Sequence, residues 1–167
     1  IGNLPTGDRD PFALRRHALG VIRMLVEKDL PLDLNALLAG AVPAFGDKIT
    51  DASAALADFI YDRLAGSLRE QGYSAQEVDA VLALRPQRLA QVPQFLAAVR
   101  AFAALPESPA LAAANKRVGN ILKKAELEGP VDAHVNPALL QEQAEKDLYT
   151  ALQRFVPEAN AQFDAGD

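Results

Sequence analysis

The sequence predicts an all-α protein of about seven helices, and three observations carry that expectation. Alanine and leucine dominate while valine, isoleucine and aromatics are few, which favours close-packed helices over sheet. Capped segments with a period near 3.6 recur along the chain, separated by short proline- and glycine-marked connections. No stretch of strict two-residue alternation is long enough to read as a strand. Half of the 167 residues are hydrophobic, enough for one ordinary core or two small ones.

Taken in order, residues 1–10 read as a loop punctuated by Gly2, Pro5 and Gly7. Asp10 and Pro11 then signal a helix to about Asp29, with Pro31 ending it. That segment is apolar nearly all round, so it is expected to be central and buried on several sides. Its narrow polar strip, Arg16, Arg23 and Glu27, reads as a partly buried ion-pair line. Asp33 caps a short helix from Leu34 to about Val42, broken by Pro43 and Gly46. A long helix follows from about Thr50 to Gln71, with Leu56, Phe59, Ile60, Leu64 and Leu68 inward and Asp58, Asp62 and Arg69 outward. Gly72 stops it. Ser74 and Glu77 have capping-box spacing for a helix to about Leu84.

Arg85-Pro86-Gln87-Arg88 reads as an extended connector, since Pro86 disfavours helix at Arg85. Another helix runs from about Val92 to Leu105 and carries Phe95, Leu96, Val99 and Phe102. Pro106 and Pro109 bracket the turn after it, and a domain boundary is expected there, with 1–105 as a helical body and 106–167 as the start of a helical bundle. Ser108 and Pro109 open the basic helix. Glu128-Gly129-Pro130 ends it, and Asn136-Pro137 starts the last helix with Leu139, Leu140, Leu148, Leu152 and Phe155. Pro157 is expected to bend or end that helix, and Phe163 to begin a further segment. Since Ile1 is the first residue, the chain is expected to be a piece of a longer protein. The incomplete bundle is expected to self-associate, or to be the least ordered end.

The segment Ser108–Lys124 carries the functional expectation. At about 100° per residue, Leu111, Ala114, Val118, Ile121, Leu122 and Ala125 share one arc. Lys116, Arg117, Asn120, Lys123 and Lys124 share the opposite one. No acidic residue lies between Lys116 and Lys124, whereas a solvated helix face usually mixes signs. Cations with an amide among them suit phosphate and base-edge contacts. The plain alternative is a core helix with a solvated basic back.

Net charge is −5, which by itself disfavours a polyanion partner. Its distribution does not. Residues 31–84 hold 3 basic and 8 acidic side chains, 85–128 hold 7 and 3, and 129–167 hold 2 and 7. A polyanion meets the basic block, not the average.

Several chemistries have no residues to carry them. The chain has no cysteine, so disulfides and thiolate metal sites are excluded. His17 and His134 form no pair with metal spacing. There is no phosphate-binding glycine loop with its Lys and Ser/Thr, and no nucleophile elbow. Asp58 and Asp62 stand one helical turn apart on an outward face and read as solvated. No catalytic and no metal residue is expected, and no apolar run has the length of a membrane span.

Ala114-Asn-Lys-Arg-Val-Gly-Asn-Ile-Leu122 resembles the opening helix of the helical anticodon-binding domain of the bacterial glycyl-tRNA synthetase beta subunit. Gly7-Asp-Arg-Asp-Pro-Phe-Ala-Leu-Arg-Arg16 and Val78-Asp-Ala-Val-Leu-Ala-Leu-Arg-Pro86 also resemble that family, in the same order. The resemblance implies a carboxy-terminal, non-catalytic, tRNA-binding fragment of a cytoplasmic enzyme that ligates glycine to tRNA(Gly). In such an enzyme ATP and Mg act at a site on the partner alpha subunit. The candidate tRNA-binding residues are Arg85, Arg88, Lys116, Arg117, Asn120, Lys123 and Lys124. Arg85 and Arg88 rest on charge and position alone. A second reading is a helical scaffold whose basic face meets an acidic protein surface.

Overall fold

The computed structural model describes residues 10–124 and 134–165, and these form seven α-helices with no strand among them. They are α1 (Leu14–Glu27), α2 (Leu34–Ala41), α3 (Ser53–Glu70), α4 (Ala75–Leu82), α5 (Val92–Ala103), α6 (Ser108–Lys124) and α7 (Gln143–Ala165). The all-α expectation holds. The chain divides into two compact units, Ile1–Ala114 and Asn115–Asp167.

The first unit holds the core. In it α1 and α2 pack on α3, α3 packs on α4, and α4 packs on α5. Ile22 and Leu25 of α1, Leu64 and Leu68 of α3, Val78 and Val81 of α4, and Val92 and Leu96 of α5 are buried together. Leu34, which opens α2, and Leu89, in the turn before α5, have no exposed surface at all. These apolar side chains recur at three- and four-residue spacing, so each helix presents one stripe inward.

Caps fix where the helices stop and start. Asp33 accepts from the Ala36 N–H at 2.9 Å and caps α2. Ser74 and Glu77 form the reciprocal box expected of their spacing, each side chain accepting from the other's backbone N–H. Gly72, at φ 92°, ends α3, with Tyr73 N–H bonded to the Leu68 carbonyl and Gly72 N–H to that of Arg69. Asp29 takes the same left-handed position after α1, at φ 48°, with Leu30 N–H bonded back to Leu25.

Four expectations are corrected. First, α1 is not wrapped on all sides. Arg16, His17, Arg23, Met24, Glu27 and Lys28 are exposed along one broad face, and Arg16, Arg23 and Glu27 form no ion pair among the described residues. The helix lies at the edge of the unit, and long charged side chains extend into water at no desolvation cost. Second, Leu56 of α3 is 44% exposed, while Ala57 and Tyr61 are buried. Ile60, Leu64 and Leu68 face inward as expected, with Phe59 packed at the edge of the core. Third, Arg85 is not extended but left-handed, at φ 47°. Fourth, the Asn136 side chain does accept from Ala138 N–H, but it starts only a short turn, Pro137–Leu139. The long helix begins at Gln143 and continues through Pro157 to Ala165, so Phe163 starts no new segment. The expected end of the basic helix, at Glu128-Gly129-Pro130, and Ala125 lie outside the described residues.

Candidate nucleic-acid interface

Helix α6 begins at Ser108, as expected, and is described as far as Lys124. At its start the Ser108 N–H donates to the Leu105 carbonyl at 3.1 Å and the Leu111 N–H to that of Glu107 at 3.0 Å. Within the second unit, Lys116, Arg117, Asn120, Lys123 and Lys124 are all exposed, and none has an ion-pair partner among the described residues. Lys116 and Lys123 stand about 10 Å apart along the axis, with Asn120 between them, from a rise of 1.5 Å per residue. The four cations and the amide thus form one continuous strip. The opposite arc is not buried either: Leu111, Val118, Ile121 and Leu122 are each 43–57% exposed. In α7, Leu148, Leu152 and Phe155 are likewise exposed.

Arg85 and Arg88 occupy a corner of the first unit that is tied down on several sides. The Leu34 N–H donates to the Gln87 carbonyl at 2.9 Å, and Asp33 and Arg88 form an isolated antiparallel bridge. The Tyr61 hydroxyl donates to the Pro86 carbonyl at 3.0 Å, and Gln87 Nε2 donates to that hydroxyl at 3.3 Å. Gln87 Oε1 accepts from the Asn35 N–H. Burial pushes the Tyr61 phenol above its ordinary value, against the opposing pull of the Arg85 charge.

The two arginines of this corner have different surroundings. The Arg85 guanidinium donates to Asp58 Oδ1 at 2.7 Å and lies 4.7 Å from the centre of the Tyr61 ring. Arg88 is exposed and has no ion-pair partner among the described residues. Residue spacing along the chain could not reveal the Asp58–Arg85 pair, since its members are 27 positions apart. The Tyr61 and Gln87 contacts were missed for the same reason.

Other charged groups in the first unit are also paired. Asp62 pairs with Arg63, Asp79 with Arg69, and Glu77 with Arg100. The Arg100 hydrogen bond, helped by the Ser74 N–H, holds the Glu77 carboxyl well below the ordinary carboxylate range, at about 2. Asp58 and Asp62 are exposed, as expected, and each is taken up by an arginine. His17 and His134 are exposed. Among the described residues no three His, Asp or Glu side chains converge as a metal site, and no single helix is long and apolar enough to cross a membrane. An open cleft of about 440 Å³ between α1, α3 and α5 has Ile22, Leu64, Leu68 and Leu96 in its walls and Arg23 and Glu27 at its edge. None of the seven candidate residues lines it.

Comparison with known proteins agrees with the family resemblance of the sequence. The family model described as glycyl-tRNA synthetase beta subunit matches residues 1–83. The glycine–tRNA ligase beta subunits of Acidovorax sp. (strain JS42) and Polaromonas naphthalenivorans (strain CJ2) are 84% and 76% identical to the chain over 167 residues. That of Janthinobacterium sp. (strain Marseille) is 61% identical over 167 residues. Each alignment covers 100% of this chain, which spans only 23–24% of the length of these relatives. Identity that high along the whole chain, with the family match over its first half, shows that the chain belongs to the glycyl-tRNA synthetase beta subunit family.

Proposed function

We propose that this chain is a tRNA-holding part of a glycine–tRNA ligase, without catalytic residues of its own. The observation that carries the reading is the strip Lys116, Arg117, Asn120, Lys123 and Lys124, exposed and unneutralised by any described carboxylate. A helix face of this kind attracts phosphates through its charge and offers an amide to a base edge. The partner nucleic acid is tRNA(Gly), and the strip belongs to an anticodon-binding unit. In the whole cytoplasmic enzyme, glycine, ATP and Mg are handled with the alpha subunit. The ligase beta-subunit names of the relatives and the resemblance of Ala114–Leu122 support the tRNA part of this reading.

Titration of the chain with a tRNA(Gly) transcript at two salt concentrations tests the reading. Binding that weakens steeply with salt is expected, because each neutralised phosphate releases counterions. An absence of binding at low salt overturns it, and leaves the basic face to an acidic protein surface.

A further inference from the structure

The corner at residues 85–88 is built more firmly than a surface connector needs. Pro86 and Leu89 are buried on either side of it, and Gln87 bonds through its backbone and side chain to α2 and to Tyr61. Arg88 stands between these anchors. Its backbone is held by the bridge to Asp33, and its carbonyl accepts from the Gln91 N–H at 3.0 Å.

The other arginines from α3 to α5 differ from it. Arg63, Arg69, Arg85 and Arg100 each pair with a carboxylate, and Arg63, Arg85 and Arg100 also lie over aromatic rings. Arg88 does neither among the described residues. The nearest carboxylate in the bridge, Asp33, is turned into the cap of α2 and accepts from Ala36 N–H. The result is a guanidinium on a fixed backbone with its donors unused. A fixed base cuts the ordering cost of binding, and the planar fork matches two phosphate oxygens better than an ammonium does.

We propose that this corner is a second phosphate contact point for RNA, in the first unit and separate from the α6 strip, with Arg88 as the contacting side chain. Arg85 is its positioning residue: by bonding Asp58 and stacking on Tyr61 it braces the turn that presents Arg88. The N-terminus of α2 is not the anion site, because the N–H groups of Leu34, Asn35 and Ala36 already have acceptors in Gln87 and Asp33. The proposal rests on the tRNA reading above.

The test measures tRNA(Gly) binding and thermal stability for R88Q, R85Q, the double variant and the α6 variant with Lys116, Arg117, Lys123 and Lys124 changed to Gln. R88Q is expected to weaken binding about three- to tenfold at low salt and to reduce the salt slope by about one, with an unchanged melting temperature. R85Q is expected to lower the melting temperature and weaken binding less. The double variant should bind no worse than R88Q, since Arg85 acts only through Arg88. If the α6 variant loses affinity while R88Q matches the unaltered chain in affinity and slope, the corner proposal is overturned and the tRNA reading stands. If R85Q rather than R88Q removes the slope, the assigned roles are overturned. If no variant changes binding, or none of the proteins binds tRNA, both the corner proposal and the tRNA reading fail. An R88Q chain that keeps its tRNA affinity but no longer assembles with the alpha subunit would make the corner a protein contact and overturn the proposal.

Discussion

Arg100 and Glu77 join α5 to the first turn of α4: the Arg100 Nε–H donates to Glu77 Oε1 at 2.5 Å. The same carboxylate accepts from the Ser74 N–H at 2.6 Å through its other oxygen, and the Arg100 guanidinium lies 4.3 Å from the Tyr73 ring centre. One side chain thus closes a helix cap and ties two helices together.

This joint sets a pH dependence. The Glu77 carboxyl sits at about 2 in the folded chain, below its ordinary value of 4.5. A depressed folded value gives stability that is fully present above 4.5 and is lost as pH falls towards 2. Melting temperatures across that window should fall for the unaltered chain and fall less for Glu77→Gln. Equal pH dependence in both would show that this group does not report folding. Ser74→Ala, which removes the other half of the box, should cost about 1 kcal/mol in a denaturant titration.

Tyr61 gives the alkaline counterpart. Its hydroxyl donates to the Pro86 carbonyl, and burial raises its ionisation above 10. A raised value means that the contribution is present at neutral pH and is lost as pH rises through the folded value. Tyr61→Phe should cost about 1–3 kcal/mol, because the Pro86 carbonyl loses its donor in a buried setting. Absorbance titration should then show one late-ionising tyrosine fewer. A variant as stable as the parent would mean that this bond does not anchor the corner.

Some local signals in the sequence translated, and those at Asp10-Pro11, Arg85-Pro86 and Asn136-Pro137 did not. Asp33 and the Ser74–Glu77 box cap the helices that their spacing predicts, Gly72 ends α3, and Ser108–Lys124 is one helix with its cations on one arc. These features depend on residues within a few positions of each other. Burial did not translate as well. Leu56, expected inward, is exposed, while Tyr61 is buried, because the wheel of an apolar-rich helix does not say which of two adjacent stripes meets a neighbour. Met24 is 56% exposed although its helix is apolar on most of its surface, since only tertiary position places α1 at an edge. Of the candidate site residues, the α6 set shares one face as its spacing implies. The different settings of Arg85 and Arg88 depend on Asp58, Tyr61 and Asp33, which lie far away in sequence.

The contrast between the two units can be measured by substitution. Leu64 is 2% exposed in the shared core, so Leu64→Ala should destabilise the chain by about 2–5 kcal/mol. Ile121 is 57% exposed, so Ile121→Ala should change stability by no more than about 0.5 kcal/mol. Denaturant midpoints compare the two directly. Equal losses would place Ile121 in a covered core.

The exposed apolar side chains of α6 and α7 also bear on assembly. Val118, Ile121, Leu122, Leu148, Leu152 and Phe155 are each more than 40% exposed, and exposed apolar side chains in number favour association. Sedimentation velocity should show association that grows with concentration, or hydrogen exchange should be fastest in α6 and α7. A strict monomer with its strongest protection in α7 would contradict both.

The central claim, that the α6 face holds tRNA, is most directly tested by its salt slope. The logarithm of tRNA(Gly) affinity against the logarithm of salt concentration should be measured for the unaltered chain and for the chain with Lys116, Arg117, Lys123 and Lys124 changed to Gln. The account predicts a folded variant with weaker binding and a slope shallower by about 3 to 4. An unchanged slope and affinity in a folded variant would contradict it.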